Sequence, residues 1–241
     1  MATLVIRKPS SIHQTGGEID NGTFRGRWHF SFDDYRDPDN MRFGTLRVFN
    51  DDTLTPGATW PLHPHKDNEV VTYCAEGEFR HADEQGKGGV LKKGWVQHTT
   101  VGRGMMHAEI NNLPDRPMRF IQMWFIPRER GLPPAVEQRE VECKERTNRL
   151  LLLVSDKNPD ALPLVSDAEV FSCFLQNGHE IRRRVQAERG AYLYVLEGGP
   201  VRVNEREVVA LGAVKAEGEM DLEVRAEGDS ELLLVDVSLT P

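Results

Sequence analysis

Residues 45–94 read TLRVFNDDTLTPGATWPLHPHKDNEVVTYCAEGEFRHADEQGKGGVLKKG, a series of short apolar runs separated by turn-forming residues. Strand-like runs that recur about every 8–12 residues, with Gly and Pro between them, are typical of β-barrels and sandwiches. A parallel sheet would need helices between its strands, and helical periodicity is scarce here. The stretch therefore predicts an all-β fold of short strands.

Length, charge and cysteine content limit the class of protein. The 241 residues suit two domains better than one, because domains cluster near 100–150 residues. A formal net charge of −8 disfavours direct nucleic-acid binding, which needs a basic surface. No apolar run reaches the length of a signal peptide or a membrane span, and three widely spaced cysteines suggest reduced thiols. We expect a cytoplasmic protein with no nucleic-acid or membrane partner.

A polar segment divides the chain into two halves. The apolar run MRFIQMWFIP at 118–127 predicts a buried strand that closes the first barrel. Residues 128–149 are charged and contain prolines, which indicates a linker or a strap between domains. We therefore predict a metal-binding barrel at 1–130, a linker or strap at 131–149, and a second barrel at 150–241.

The two halves repeat one another weakly. YCAEGEF at 73–79 parallels YVLEGGP at 194–200, an offset close to 120 residues. A duplicated barrel explains both the length and the repeat. On this offset His63 and His65 fall near Arg184 and Gln186, so we expect the second barrel to bind no metal.

Two matched pairs of ligand-type residues predict a metal site. His63 and His65 are two residues apart, as are His107 and Glu109, and residues at this spacing on a strand face the same side. Three imidazoles and one carboxylate suit a divalent transition metal, whereas Ca²⁺ and Mg²⁺ prefer oxygen ligands. A lone strand histidine is more often a packing residue, but two such pairs together favour metal binding.

Glu69 is an alternative carboxylate ligand. It follows His65 by four residues, an even spacing that would also point it inward on a continuous strand. If Glu69 were the ligand, Glu109 would lie outside the metal's shell or act as a base. We interpret the remaining histidines as surface or packing residues, with His98 nearest the site; they are His13, His29, His81, His98 and His179.

These residues resemble the two-motif signature of cupins, and the surrounding sequence is most similar to that of the pirin family. Gly57, His63, His65 and Glu69 match the first motif, although its closing Gly77 comes one residue late. The end of the second motif is matched by Gly104, His107 and Asn111, without its usual proline. The pirin-like wording includes HPHKDNEVVTYCAEGEFRHAD and VGRGMMHAEIN, and covers most of residues 26–125. Residues 150–241 resemble a degenerate second cupin only faintly.

The resemblance implies two tandem cupin jelly-roll barrels, with one metal held by His63, His65, His107 and Glu109. Fe(II) is the expected ion, with Cu, Mn, Ni, Co or Zn as alternatives. Bacterial pirin-like proteins are similar to dioxygenases that open the central ring of quercetin with O₂ and release carbon monoxide. Eukaryotic pirin is instead a nuclear iron protein that acts as a redox-dependent regulator of a protein partner. The acidic chain without a basic localisation run favours the bacterial type.

On this basis we expect a flavonol-like aromatic substrate and O₂. The metal ligands would hold the substrate as an anion, with Glu109 or Glu69 as the catalytic base that accepts its hydroxyl proton. The alternative function is a non-enzymatic iron protein that senses redox state and binds a protein partner.

Overall fold

The computed structural model describes residues 2–84 and 88–240, and these residues are almost entirely β-structure. Within them, the strands form two pairs of facing sheets, each pair combining a seven-stranded and a four-stranded sheet. A large sheet that faces a small one across an apolar interior is the jelly-roll arrangement. The predicted all-β fold with two tandem barrels is confirmed.

The first barrel holds the predicted metal ligands. Its large sheet has the order β12-β9-β6-β11-β4-β3-β2, with bounds Ala135–Arg139, Val96–Thr100, Glu69–Glu76, Met118–Phe125, Leu46–Leu54, Gly22–Trp28 and His13–Ile19. Its small sheet has the order β5-β10-β7-β8, with bounds Thr59–His65, Met105–Asn111, Glu78–Asp83 and Val90–Lys92.

The second barrel repeats this order. Its large sheet is β1-β20-β17-β22-β15-β13-β14, with bounds Thr3–Arg7, Ala213–Glu217, Arg189–Gly198, Ser230–Ser238, Ala168–Leu175, Leu151–Ser155 and Leu162–Pro163. Its small sheet is β16-β21-β18-β19, with bounds Glu180–Val185, Met220–Ala226, Val201–Val203 and Arg206–Val208. The duplication inferred from the sequence is therefore visible strand by strand.

Helical structure in the described residues is short. It consists of α1, Cys143–Arg146, and two 3₁₀ turns, Pro9–Ser11 and Pro38–Asn40. None of the helices in the described ranges is long and apolar enough to cross a membrane.

The two large sheets pack against each other. Val71, Ile121 and Met123 of the first barrel share one buried cluster with Tyr192 and Leu233 of the second. Since the other faces of these strands line the barrel interiors, the central strands are buried on both sides, which explains their continuous apolar runs. The strand predicted to close the first barrel, β11, is instead central in its sheet, between β6 and β4.

One edge strand of each large sheet comes from outside that barrel's own stretch of chain. Strand β1, at the start of the chain, pairs with β20 of the second barrel. Strand β12, inside the predicted linker 131–149, pairs with β9 of the first barrel. The linker is thus partly a strap, and the predicted domain of residues 1–130 sends its first strand across to the second sheet. The domain limits themselves stay a prediction.

Candidate metal centre

The metal-ligand candidates lie on two paired strands of the small sheet. Strands β5 and β10 run antiparallel, with His63 directly opposite His107. His65 lies two residues from His63 on the same strand, so its side chain faces the same interior. The spacing seen in the sequence therefore converges in space.

Three imidazole rings form a nearly equilateral triangle. The ring centroids of His63, His65 and His107 are 4.7 Å apart in each pair. One ring nitrogen from each lies within 4.8 Å of the others. Three nitrogens at this separation can reach one transition-metal ion, since Zn–N and similar bonds are about 2.0–2.1 Å long.

Free nitrogens point into the triangle. The Nε2 atoms of His65 and His107 are buried and have no hydrogen-bond partner. The Nδ1 atom of His63 lies 2.8 Å from the Pro61 carbonyl oxygen, so it carries the proton and leaves Nε2 with its lone pair. Buried polar atoms are normally hydrogen-bonded, so orphaned nitrogens that face one another fit a divalent metal ion.

Burial keeps these imidazoles in the form that binds metal. It lowers the pKa of His65 to about 4 and the pKa of His107 to about 2. Near neutral pH both rings are uncharged, which a metal ligand requires.

Glu109 lies beside this triangle. Its Oε1 atom is 4.0 Å from Nε2 of His107 and accepts a hydrogen bond from Gln122 Nε2. The pairing of β10 with β5 shifts here because β5 carries one extra residue between Trp60 and His63, whereas β10 pairs regularly with β7, so Glu109 keeps the face of His107. Burial raises the pKa of Glu109, while the charge of His63 and the Gln122 hydrogen bond oppose this rise. Its place in the ligand set remains our prediction.

Glu69 has partners elsewhere. Its Oε2 atom lies 2.7 Å from His98 Nε2 and accepts hydrogen bonds from the Thr100 hydroxyl and the Val165 backbone N–H. Val165 belongs to the second half of the chain, so this network ties the two halves together. Its contacts give Glu69 a structural role, and they explain why His98 is buried.

The sequence did not single out His81 as a functional residue, although it touches a candidate ligand. His81 Nε2 lies 2.8 Å from Nδ1 of His107. A proton on Nδ1 of His107, donated to His81, leaves Nε2 of His107 free for a metal, and such outer partners hold a ligand's tautomer and orientation. His81 lies two residues after the buried Phe79 on β7, and this spacing was the available signal that its side chain points inward.

The other histidines have packing roles in part. His13 stacks on Tyr35, and the buried His29 lies 2.7 Å from the Tyr192 hydroxyl. His179 is exposed on the second barrel.

A cavity of ≈ 840 Å³ opens over the histidines. His63, His65 and Glu109 form part of its wall. Its aromatic lining comes from Phe24, Trp28, Phe32, Trp60 and Trp124, and its polar lining includes Asn50, Asp52 and Gln122. Such a mostly apolar space with a few polar groups suits a planar aromatic ligand.

Pairing registers locate the matching positions in the second barrel. Met105 pairs with His65 in the first barrel, and Met220 pairs with Val185 in the second. His63 and His65 therefore match Arg183 and Val185, one residue from the positions that the sequence offset indicated. Valine has no ligand atom, and Arg183 bonds to Glu169 and Asp236.

Comparisons with known proteins agree with this arrangement. The family model described as Pirin matches residues 11–125, and that of the quercetinase C-terminal cupin domain matches residues 151–237. A pirin-like protein of Caulobacter vibrioides is 35% identical over 237 residues, which cover 98% of this chain and 100% of that protein. The quercetin 2,3-dioxygenase of Escherichia coli K12 is 32% identical over 211 residues, covering 87% and 90%.

A solved structure is similar over nearly the whole chain. The crystal structure of the bacterial pirin YhhW from Escherichia coli in complex with nickel(II) superposes with a TM-score of 0.88 at 29% identity. The similarity covers 98% of this chain and 99% of that one.

Proposed function

Because the chain belongs to the pirin family of two-barrel metal proteins, we propose that it is a metal-dependent dioxygenase acting on flavonols such as quercetin. The observation that carries this proposal is the triangle of imidazoles at the wall of an aromatic-lined cavity. The name of the Escherichia coli relative supports the same reaction.

We propose His63, His65, His107 and Glu109 as ligands of one divalent ion, with Fe(II) as the resident metal. The nickel in the YhhW structure supports a divalent ion and makes Ni(II) the first alternative; Cu, Mn, Co and Zn follow. A bound divalent ion supplies positive charge that lowers the pKa of a coordinated substrate hydroxyl.

The chain's own residues have separate tasks in the reaction. Trp60 and Trp124 flank the histidines in the cavity wall, where they stack on planar rings and exclude water. Glu109 is the proposed base, because its buried carboxylate lies beside the imidazole triangle and lines the cavity. Gln122 holds one carboxylate oxygen and leaves the other for that proton. Glu69, the alternative base, is occupied by His98 and Thr100.

Oxygen-dependent turnover tests the proposal. Protein loaded separately with Fe, Ni, Cu, Mn, Co or Zn is mixed with quercetin with and without O₂, while flavonol absorbance and oxygen uptake are followed. We expect loss of absorbance only with O₂ and release of carbon monoxide. A His63→Ala variant removes one proposed ligand. A His179→Ala variant, altered at an exposed histidine, is its matched control.

No oxygen-dependent loss of quercetin with any of these metals would contradict the enzymatic function. Redox-dependent capture of a protein partner by the same inactive protein would instead favour the regulatory alternative. Elemental analysis of the native protein identifies the resident metal, and cell fractionation tests the proposed cytoplasmic location.

A further inference from the structure

Strand β4 presents two polar side chains to the cavity. Asn50 and Asp52 are two residues apart on this strand and both line the cavity wall. Asn50 is 3% exposed and Asp52 is 6% exposed, so both are removed from bulk water. Neither residue belongs to the proposed ligand set.

The Asn50 side chain has an unsatisfied hydrogen-bond acceptor. Its Oδ1 atom is buried and has no partner. Asn50 pairs with Trp28 on β3 and with Gln122 on β11. The side-chain N–H of Trp28 already bonds to Asp52, and that of Gln122 bonds to Glu109. An amide oxygen only accepts hydrogen bonds, so the missing partner is a donor such as a hydroxyl group.

The neighbouring strand β3 leaves space for the Asp52 side chain. Its Oδ1 atom accepts a hydrogen bond from Trp28 Nε1 at 3.2 Å. Gly26 pairs with Asp52 on β3, and a Cβ atom there would lie 2.5 Å from Asp52 Oδ1 and 2.9 Å from Trp28 Nε1. Glycine thus leaves room for the carboxyl group and the indole together.

The electrostatics of Asp52 suit an anionic guest. Burial, followed by the nearby charges of Asp51 and Glu109, raises the pKa of Asp52 well above its ordinary value. A carboxyl group that is more readily protonated repels an anionic substrate less and can donate a hydrogen bond as well as accept one.

The two matching positions in the second barrel are apolar. Gln122 pairs with Asn50 and Phe120 with Asp52, while Leu234 pairs with Phe171 and Leu232 with Cys173. The matched positions are therefore Phe171 and Cys173. The polar pair is a property of the barrel with the cavity and not of the repeat.

We propose that Asn50 and Asp52 form a hydroxyl-recognition pair that makes the cavity selective for polyhydroxylated aromatic substrates. The pair bonds to hydroxyl groups remote from the metal-side hydroxyl, and the aromatic walls bind the rings between them. This inference rests on the proposed function for the orientation of the substrate, but it concerns binding and can be measured without turnover.

Anaerobic titration of the metal-loaded protein tests the inference. The probes are quercetin and 3-hydroxyflavone, which share the enolic hydroxyl but differ in all others, and tryptophan fluorescence reports binding. We expect the wild-type protein to bind quercetin at least roughly tenfold more tightly than 3-hydroxyflavone. Asn50→Leu, which keeps the side chain's size, is expected to reduce this ratio to about twofold.

Further variants separate recognition from a general loss of structure. Asp52→Leu is expected to reduce the ratio, whereas Asp52→Asn, which keeps an acceptor for Trp28, retains most of it. Asn112→Leu removes an exposed amide of the same barrel and is the matched control, with an unchanged ratio expected. If Asn50→Leu does not fold, Asn50→Ser withdraws the amide oxygen and is expected to give the same direction of change.

Equal binding of the two probes by the wild type would overturn the inference. An unchanged affinity ratio in folded Asn50→Leu and Asp52→Leu variants would overturn it as well. Selective binding without turnover would support it while contradicting the dioxygenase proposal. Turnover of both compounds without selective binding would contradict this inference while supporting the dioxygenase proposal.

Discussion

The interiors of the two barrels differ at matching positions although their sheets have the same strand order. In the first barrel β5 and β10 direct ligand-type side chains inward, and in the second β16 and β21 mostly direct aliphatic ones. The matched pairs, first barrel then second, are His63 and Arg183, His65 and Val185, His107 and Leu222, and Glu109 and Val224.

Apolar packing follows the same division. The interior cluster of the second barrel runs through both of its sheets, including Ile181, Leu222 and Val224. The corresponding cluster of the first barrel contains Phe79, Leu91 and Phe120 and reaches the cavity wall at Phe24 and Trp28. An aliphatic interior is therefore sufficient for this fold, and the first barrel keeps buried polar atoms that do not stabilise it without a partner. The proposed metal and substrate sites would supply those partners.

The largest expected effect comes from giving the first barrel the side chain of the second at one ligand position. His107→Leu leaves two imidazoles, so we expect metal affinity to fall by well over 100-fold, as measured by calorimetry and elemental analysis. The metal-free variant should melt below the metal-free wild type, because leucine leaves the buried His81 Nε2 without its hydrogen-bond partner.

His179→Leu is the matched control, since it changes an exposed histidine of the second barrel. It should keep full metal occupancy. Full occupancy in His107→Leu as well would show that the triangle is not the metal site.

A smaller effect distinguishes the two carboxylates. Glu109→Gln is expected to lower metal affinity by about 10- to 100-fold, because it removes the negative charge beside His107. Glu69→Gln should leave metal affinity unchanged but lower the free energy of unfolding by about 1–3 kcal/mol, because the carboxylate accepts hydrogen bonds from Thr100 and, in the other half of the chain, from the Val165 N–H.

Calorimetric titration and urea unfolding of the two variants give both quantities. The reverse pattern, with metal lost in Glu69→Gln and retained in Glu109→Gln, would transfer the ligand role to Glu69.

The smallest expected effect is a difference in pH dependence. The pKa of His107 is lowered from 6.5 to about 2 in the folded protein, mainly by burial. As the pH falls below 6.5, the unfolded chain takes up a proton that the folded chain does not, so the metal-free protein loses stability towards acid. This loss continues until the folded pKa is reached.

His107→Leu removes this group, so its stability should fall less between pH 7 and pH 5, by about 2 kcal/mol. Urea unfolding of both metal-free proteins at the two pH values measures the difference. Identical losses would mean that His107 is not neutral in the folded protein.

The sequence determined much of the site because the relevant geometry is local. Residues two apart on a strand share a face whatever the rest of the fold does, so His63 with His65, and His107 with Glu109, could be paired from spacing alone. The repeat likewise indicated two barrels, because matching turns and strands recur at one offset.

Spacing is a weaker guide where the chain leaves the strand. The alternative role of Glu69 assumed one continuous strand from His63, but β5 ends at His65 and Asp67 adopts a φ of +51°. Strand β6 then begins at Glu69 in the large sheet, so an even number of residues no longer implies a shared face.

Only the tertiary structure decided which other strands reach the histidines. His81 comes from β7, Gln122 from β11 and Asn50 from β4, and none has a ligand-like spacing to His107 along the chain. Their positions depend on strand order and register, which long-range packing of two sheets fixes and local sequence does not. The sequence therefore determined the proposed ligand pairs, and sheet assembly decided the surroundings that orient them and shape the cavity.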